Sequence, residues 1–299
     1  MKILTLGHSL AVDSCHMLNL VAATEGFEGQ LDIGTLYHSG CRLSRHAANL
    51  EGDIVDYNLY LSSSATPDRP PFIEKDVTMK QALLWDKWDV VIMQGTSGEL
   101  STDEGYQNGN LQKVKDYVNL HKTNPDAICG WHMNWVGPTD NELLSIYEVR
   151  TGKTPEENGH KKFGARFNFD RQATYQAVVS GTVRNILTDD TFRFVIPTAT
   201  TIQNAVSSYL GERGVYRDYA HATDLVRLMA AYTWYCILSG KKELTEVKVD
   251  AIPMAFLKST EDKTADRPVT QQEKQLILEV VNNAIANPFN MTPSQYTEA

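Results

Sequence analysis

The chain has 299 residues, 42% of them hydrophobic and 22% charged, with a formal net charge of -9. That length suffices for a substantial core in one large domain or two, and the composition is that of an ordinary globular protein. The negative balance argues against nucleic acid or an anionic membrane as a partner, and no window approaches the ~20 apolar residues of a membrane span. The first apolar run begins directly after Met1, with no cationic segment or cleavage site, so the chain as given reads as cytoplasmic, or as exported if a leader was removed. Cys15, Cys41, Cys129 and Cys236 are scattered without a Cys-x-x-Cys pair and read as buried free thiols.

The opening run Lys2-Ile3-Leu4-Thr5-Leu6 stops at Gly7-His8-Ser9 and passes into Leu10-Ala11-Val12-Asp13-Ser14-Cys15-His16. A short β-rich run ended by glycine and followed by a helical pattern is a first buried strand turning into its helix. Apolar residues at Met17, Leu18, Leu20 and Val21 keep helical spacing, and Gln30 to Tyr37 makes a second strand that ends in His38-Ser39-Gly40-Cys41. The stretch from Ala48 to Lys80 is irregular; its prolines and serines indicate a surface excursion with a small hairpin made from Tyr57 to Leu61 and Phe72 to Glu74. Trp88 to Gln94 is a buried strand running into Gly95-Thr96-Ser97-Gly98. A helix follows from about Asn110 to Lys122, and Ala127 to His132 is the fourth strand.

Residues from about 133 to 165 have no strong period and read as an inserted loop region over one end of the sheet. A long helix from about Asp170 to Leu187, a fifth strand from Phe192 to Pro197, a helix from Thr198 to Leu210, a loop from Gly211 to Tyr219 and an apolar helix from His221 to Ser239 complete residues 1–240. Residues 241–299 form a polar extension with a closing helix from Thr270 to Ala286, expected to pack on the same domain. Strands alternating with helices at this rhythm predict an α/β fold with a parallel sheet covered on both faces.

Three strand ends, Gly7-His8-Ser9, Ser39-Gly40-Cys41 and Gly95-Thr96-Ser97, emerge at one edge of such a sheet, where open α/β folds place their ligands. Ser9 there is either a turn or N-cap residue, the usual employment of serine before a helix, or a nucleophile. A hydroxyl nucleophile needs a base within reach and a third group to orient that base. Asp218 and His221, three apart in Asp218-Tyr219-Ala220-His221 at a helix start, supply both at a spacing where the carboxylate holds Nδ1–H and Nε2 points outward.

With these residues in view the sequence resembles the SGNH or GDSL-like hydrolases. Gly7-His8-Ser9 is similar to the Gly-Asp-Ser block that carries their nucleophile, Gly40 to the glycine of their oxyanion hole, and Gly95-Thr96-Ser97 to their Gly-x-Asn block. Asp218-Tyr219-Ala220-His221 matches Asp-x-x-His in full. Trp131-His132-Met133-Asn134-Trp135, Ile196-Pro197-Thr198 and Ile202-Gln203-Asn204-Ala205 resemble, more narrowly, an uncharacterised bacterial branch common in gut anaerobes. The likeness covers about residues 2 to 240. It implies a three-layer α/β/α sandwich around a central parallel sheet, the flavodoxin-like SGNH hydrolase fold, with Ser9, His221 and Asp218 as a triad. The chain departs from the pattern at His8, where an acidic or amide residue is usual, and at Ser97, where asparagine is usual. The second departure concerns an oxyanion donor, typically worth ~3 kcal/mol. Either the Ser97 hydroxyl or the Gln94 amide is expected to replace it.

Trp131, His132, Asn134, Trp135 and Tyr147 suit a cleft for sugar, whose C–H face packs on rings while hydroxyls take hydrogen bonds; the alternative is that Trp131 and Trp135 pack the insertion on the sheet. No paired zinc spacing and no nucleotide-binding glycine loop occurs, so neither metal nor cofactor is expected. The expected activity is acyl transfer from a small-molecule or carbohydrate ester. The competing expectation is a carbohydrate-binding protein that keeps the fold with impaired catalysis.

Overall fold

The computed structural model describes residues 1–253 and 266–298; the part of the predicted extension from 254 to 265 lies outside the described residues. Seven strands, β1 (Lys2–Gly7), β2 (Asp32–Tyr37), β3 (Tyr57–Ser63), β4 (Phe72–Val77), β5 (Val90–Met93), β6 (Ile128–His132) and β7 (Phe192–Ile196), form one sheet of order β4-β3-β2-β1-β5-β6-β7. Strands β2, β1, β5, β6 and β7 are mutually parallel. Strand β3 is antiparallel to β2, and β4 to β3. The hairpin expected as a surface excursion is therefore the edge of the sheet itself, so the sheet is mostly and not wholly parallel. Tyr57 and Leu59 bury on that edge, while Phe72 and Ile73 of the outermost strand stay exposed.

Period-two alternation divides the apolar residues of each strand between two faces. On β1, Ile3 enters one core and Leu4 and Leu6 the other; on β5, Val90 and Ile92 alternate with Val91 and Met93 in the same way. The first core is covered by helices Ser9–Cys15, Leu18–Glu25, Thr198–Val206, Asp224–Ser239 and Gln271–Ala286. Helices Leu43–Asn49, Met79–Leu84, Asn110–His121 and Arg171–Asn185 cover the second. Helices on both faces of a central sheet give an α/β sandwich.

Two expectations for the loops are corrected. The inserted region is helical over Asn141–Thr151 and Gly159–Ala165, with Asp140 capping the first helix and Gly152 ending it at φ 69°. Only Leu144 of the first helix is buried, so no apolar stripe advertised it. The apolar helix starts at Asp224, which leaves Asp218 to His221 in a loop closed by a bridge between Tyr216 and Ala222. The closing helix is as expected: a Thr270/Glu273 capping box starts it, and Leu276, Ile277, Val280 and Val281 bury against the first core. All four cysteines are free thiols. Among the described residues no helix is long and apolar enough to cross a membrane.

The first helix is tied to the far end of the chain by one buried carboxylate. Asp13 Oδ1 takes Arg217 Nη2 at 3.1 Å and Arg227 Nε at 2.9 Å, and its Oδ2 takes the Ala222 amide at 3.0 Å. Burial alone would raise the Asp13 pKa, yet the two guanidinium groups hold it below the ordinary carboxylate range. Asp13→Ala leaves Arg227 and Arg217 without this partner in the interior, and loss of one member of a buried pair costs ~3–5 kcal/mol. Urea unfolding should show a loss of that size, whereas a change below about 1 kcal/mol, the scale of a surface pair, would contradict the role.

Candidate active site

The parallel strands end level with one another. Gly7 pairs with Tyr37, Leu6 with Met93, Met93 with Trp131, and His132 with Ile196. The chain winds outward from β1 in both directions, so the loops after β1 and β5 part and leave a crevice at the switch point. A cavity of about 430 Å³ lies there, lined by Ser9, Gly40, Ser97 and His221 among others. The inserted region supplies its opposite wall through Leu144, Tyr147, His160 and Phe163, joined by Tyr219.

Ser9 is the first residue of its helix and not the cap. His8 caps the helix: its Nδ1 accepts the Leu10 amide at 3.4 Å, and Nε2 donates to the Gly95 carbonyl at 3.2 Å. The side chain that departs from the expected pattern thus performs the capping, and the Ser9 hydroxyl has no hydrogen-bond partner among the described residues. Gly7 makes room for a side chain and does not serve a left-handed turn. A Cβ on it would lie 2.5 Å from the Gln94 amide nitrogen. Gly40 does occupy a left-handed turn, at φ 58°.

The Asp218–His221 unit is built by its own turn. Asp218 Oδ1 accepts the amides of Ala220 at 3.0 Å and His221 at 2.9 Å, and both carboxylate oxygens face His221 Nδ1, at 2.9 and 3.0 Å. A carboxylate can only accept, so Nδ1 carries the proton and Nε2 is left as an acceptor. Burial pushes the Asp218 pKa up, but the hydrogen bonds from the His221 ring and from the His221 and Ala220 amides outweigh it and hold the carboxyl below its ordinary range. Arg150, on the first helix of the insertion, closes on Asp218 Oδ2 at 2.5 Å. Among the described residues no hydrogen bond joins Ser9 to His221 directly, although both line the same cavity.

Other expected site residues lie behind the cavity. Gln94 is buried and its Oε1 meets His132 Nδ1 at 2.5 Å; His132 packs its ring edge-on to Trp234 at 4.9 Å. Asn134 donates to the Gly95 carbonyl at 2.5 Å. None of the three lines the cavity, and Trp131 sits in the second core, so these are corrections to their expected place in the cleft. Trp135 and Tyr147 do line it, Trp135 while donating Nε1 to Ala220 O at 2.8 Å. Of the two replacement donors, Ser97 faces the cavity and Gln94 does not. Arg42, Arg150, His160, Phe163 and Tyr219 were not anticipated. Tyr219, inside Asp-x-x-His, was the one whose position in the sequence could have marked it.

Fold and site together define a mixed α/β protein in which a seven-stranded, mostly parallel sheet opens a cleft at the carboxyl ends of its strands. Residues 2–253 match the family described as Domain of unknown function (DUF4886), and the chain belongs to that family. It superposes on the crystal structure of a DUF4886 family protein from Bacteroides uniformis ATCC 8492 with a TM-score of 0.76 at 19% identity, over 100% of this chain and 99% of that one. A protein from Slackia heliotrinireducens, provisionally named an SGNH hydrolase, matches at a TM-score of 0.40 and 15% identity over 79% of this chain and 97% of its own. That likeness is too loose to bear on fold or function. No curated protein matches the sequence.

The buried histidines set an acid limit on the fold. Burial lowers His8 and His160 to about 4 and His46 to about 3, and carries His132 well below the ordinary imidazole value. These groups bind protons in the unfolded chain from about pH 6.5 downward but stay neutral in the fold. Their contribution is complete above pH 6.5 and is lost as pH falls toward 4, whereas Asp13 and Asp218, depressed acids, lose theirs only below about pH 4. Urea midpoints should drop steeply between pH 6.5 and 4, and His8→Asn should flatten that slope by about 1.4 kcal/mol per pH unit, one proton's worth. A flat profile across this window would contradict the assignment of neutral histidines.

Proposed function

We propose that this protein is a serine esterase or deacylase of the SGNH type, acting on O-acylated carbohydrate. The observation that carries the reading is the convergence of three features on one cavity: Ser9, relieved of capping by His8; His221, with Nε2 free; and Asp218, locked behind it. Ser9 Oγ attacks the ester carbonyl carbon while His221 Nε2 removes its proton, and the backbone amides of Ser9 and Gly40 receive the charge on the carbonyl oxygen. Collapse breaks the bond to the alkoxy oxygen, which takes the proton from His221, leaving an acyl-Ser9 ester. Water then attacks that ester as His221 again accepts a proton, and the acid leaves with Ser9 restored.

Ser97 stands as the third donor through its hydroxyl. The rings of Tyr147 and Tyr219 offer faces to a sugar, whereas Trp135 is buried in the first core and only closes the cavity floor. A second reading, a carbohydrate-binding protein with impaired catalysis, is favoured by one observation: no Asn or Gln side chain lines the cavity. Loss of an oxyanion donor costs ~10²–10³-fold in rate.

A fluorophosphonate probe separates the two readings. An esterase is labelled at Ser9 and hydrolyses 4-nitrophenyl acetate, and Ser9→Ala removes both while keeping its unfolding midpoint. Asp218→Asn should reduce kcat by ~10²–10⁴-fold. An unlabelled, inactive wild type that still binds acetylated sugar would establish the second reading instead.

A further inference from the structure

The cavity wall carries a charge bias that ester hydrolysis alone does not require. In a chain of net charge -9, none of its lining residues is Asp or Glu. Of its three histidines, those at 8 and 160 are held neutral by burial and His221 is the proposed base, so the permanent charge on the wall is the guanidinium of Arg42.

Arg42 stands two residues beyond Gly40, in extended backbone at φ -88° and ψ 161° just before the helix Leu43–Asn49. It is exposed, and among the described residues no carboxylate oxygen pairs with it within ion-pair distance. Glu99 is close enough to act on it electrostatically but directs its own oxygens elsewhere, to the amides of Leu43 at 3.0 Å and Ser44 at 3.4 Å. The neighbouring Arg45 is already engaged, bidentate on Asp56 at 2.8 and 2.9 Å. Arg166, at the same rim, lies against the Phe163 and Phe167 rings with Nη1 toward Gly98 O. Arg42 therefore keeps its donors for whatever enters the cavity, and a planar fork of N–H groups pairs best with a carboxylate.

We propose that the cleft selects esters that carry a carboxylate, with Arg42 as its counter-charge; the proposal rests on the reading of Ser9 as the nucleophile. The carboxylate can belong to the acyl half, as in a hemiester of a dicarboxylic acid, or to the alcohol half, as in an O-acylated uronic acid. Both present the same anion to the same fork. A neutral wall would accept either partner of a matched neutral and anionic pair alike, and an acidic wall would repel the anionic one.

Two matched pairs test this on the full chain: 4-nitrophenyl acetate against 4-nitrophenyl hemisuccinate, and acetylated methyl glucoside against acetylated methyl glucuronide. The ratio of kcat/KM, anionic over neutral, should be about tenfold or more in one pair, which identifies the half that bears the charge. It should fall toward one in Arg42→Gln, invert in Arg42→Glu, and recover at least in part in Arg42→Lys. A wild-type ratio of one or less in both pairs, or a ratio unchanged in Arg42→Gln, overturns the proposal. Calorimetric titration of Ser9→Ala with the same four esters distinguishes this from failure of the esterase reading. If the wild type turns over nothing and takes no fluorophosphonate, the esterase reading fails, while Arg42-dependent preference for the anionic ligands still upholds the subsite. Equal binding of all four removes it.

Discussion

The Asp13 carboxylate ties the Ser9 helix to the loop that carries His221. Ser9 and His221 are separated by more than two hundred residues of chain, and the sheet only brings their loops to the same edge. Side-chain chemistry at the ångström scale needs a tighter registration. Asp13 supplies it, four residues after Ser9, by holding Arg217, Arg227 and the Ala222 amide, which bracket His221 on both sides. A lone buried carboxylate would cost several kcal/mol in desolvation. Here two guanidinium groups offset that cost, and Asp224 shares the charge of Arg227 at 3.1 Å, so the cluster is balanced two against two. The cluster fixes position more than it adds net stability.

The strands were legible because a buried strand needs little context: Ile3, Leu4 and Leu6, or Val90 to Met93, are apolar whichever face they meet. The edge hairpin was placed less well, because the choice between loop and edge strand turns on pairing with β2, which no local pattern records. The helices of the insertion were missed for the opposite reason. They lie over the cleft with one buried apolar residue in the first, Leu144, so the period that betrays a core-facing helix is absent, though the caps at Asp140, Asn158 and Gly152 were present in the sequence. Asp218 and His221 could be read because the turn that joins them is local. Arg150 could not, since its contact with Asp218 spans 68 residues and depends on how the insertion folds back.

The residues at which the chain departs from the pattern it resembles show how the neighbourhood reassigns roles. A histidine at position 8 can cap the helix only as a neutral ring, because the protonated form has no acceptor for the Leu10 amide. Burial keeps it neutral. The cap then fixes which ring nitrogen remains, and Nε2 is committed to Gly95 O, a carbonyl that Asn134 also holds. Two amide-bearing side chains that sequence order placed in the cleft, Gln94 and Asn134, are in this way drawn into a polar layer beneath it.

Gly7 explains why Gln94 goes inward. With no Cβ at position 7, the end of β1 leaves room for the Gln94 amide between strands, where any larger residue would force the Gln94 side chain to shift. There Gln94 meets His132, which is fully buried and needs a polar partner more than an exposed cleft does. The cleft keeps hydroxyls and backbone amides as its donors, and one guanidinium as its fixed charge. The Gln94–His132 layer beneath it adds no charge of its own, so the burial that takes Gln94 away from the cavity leaves Arg42 as the fixed charge of the lining, with Glu99 the carboxylate that acts on it.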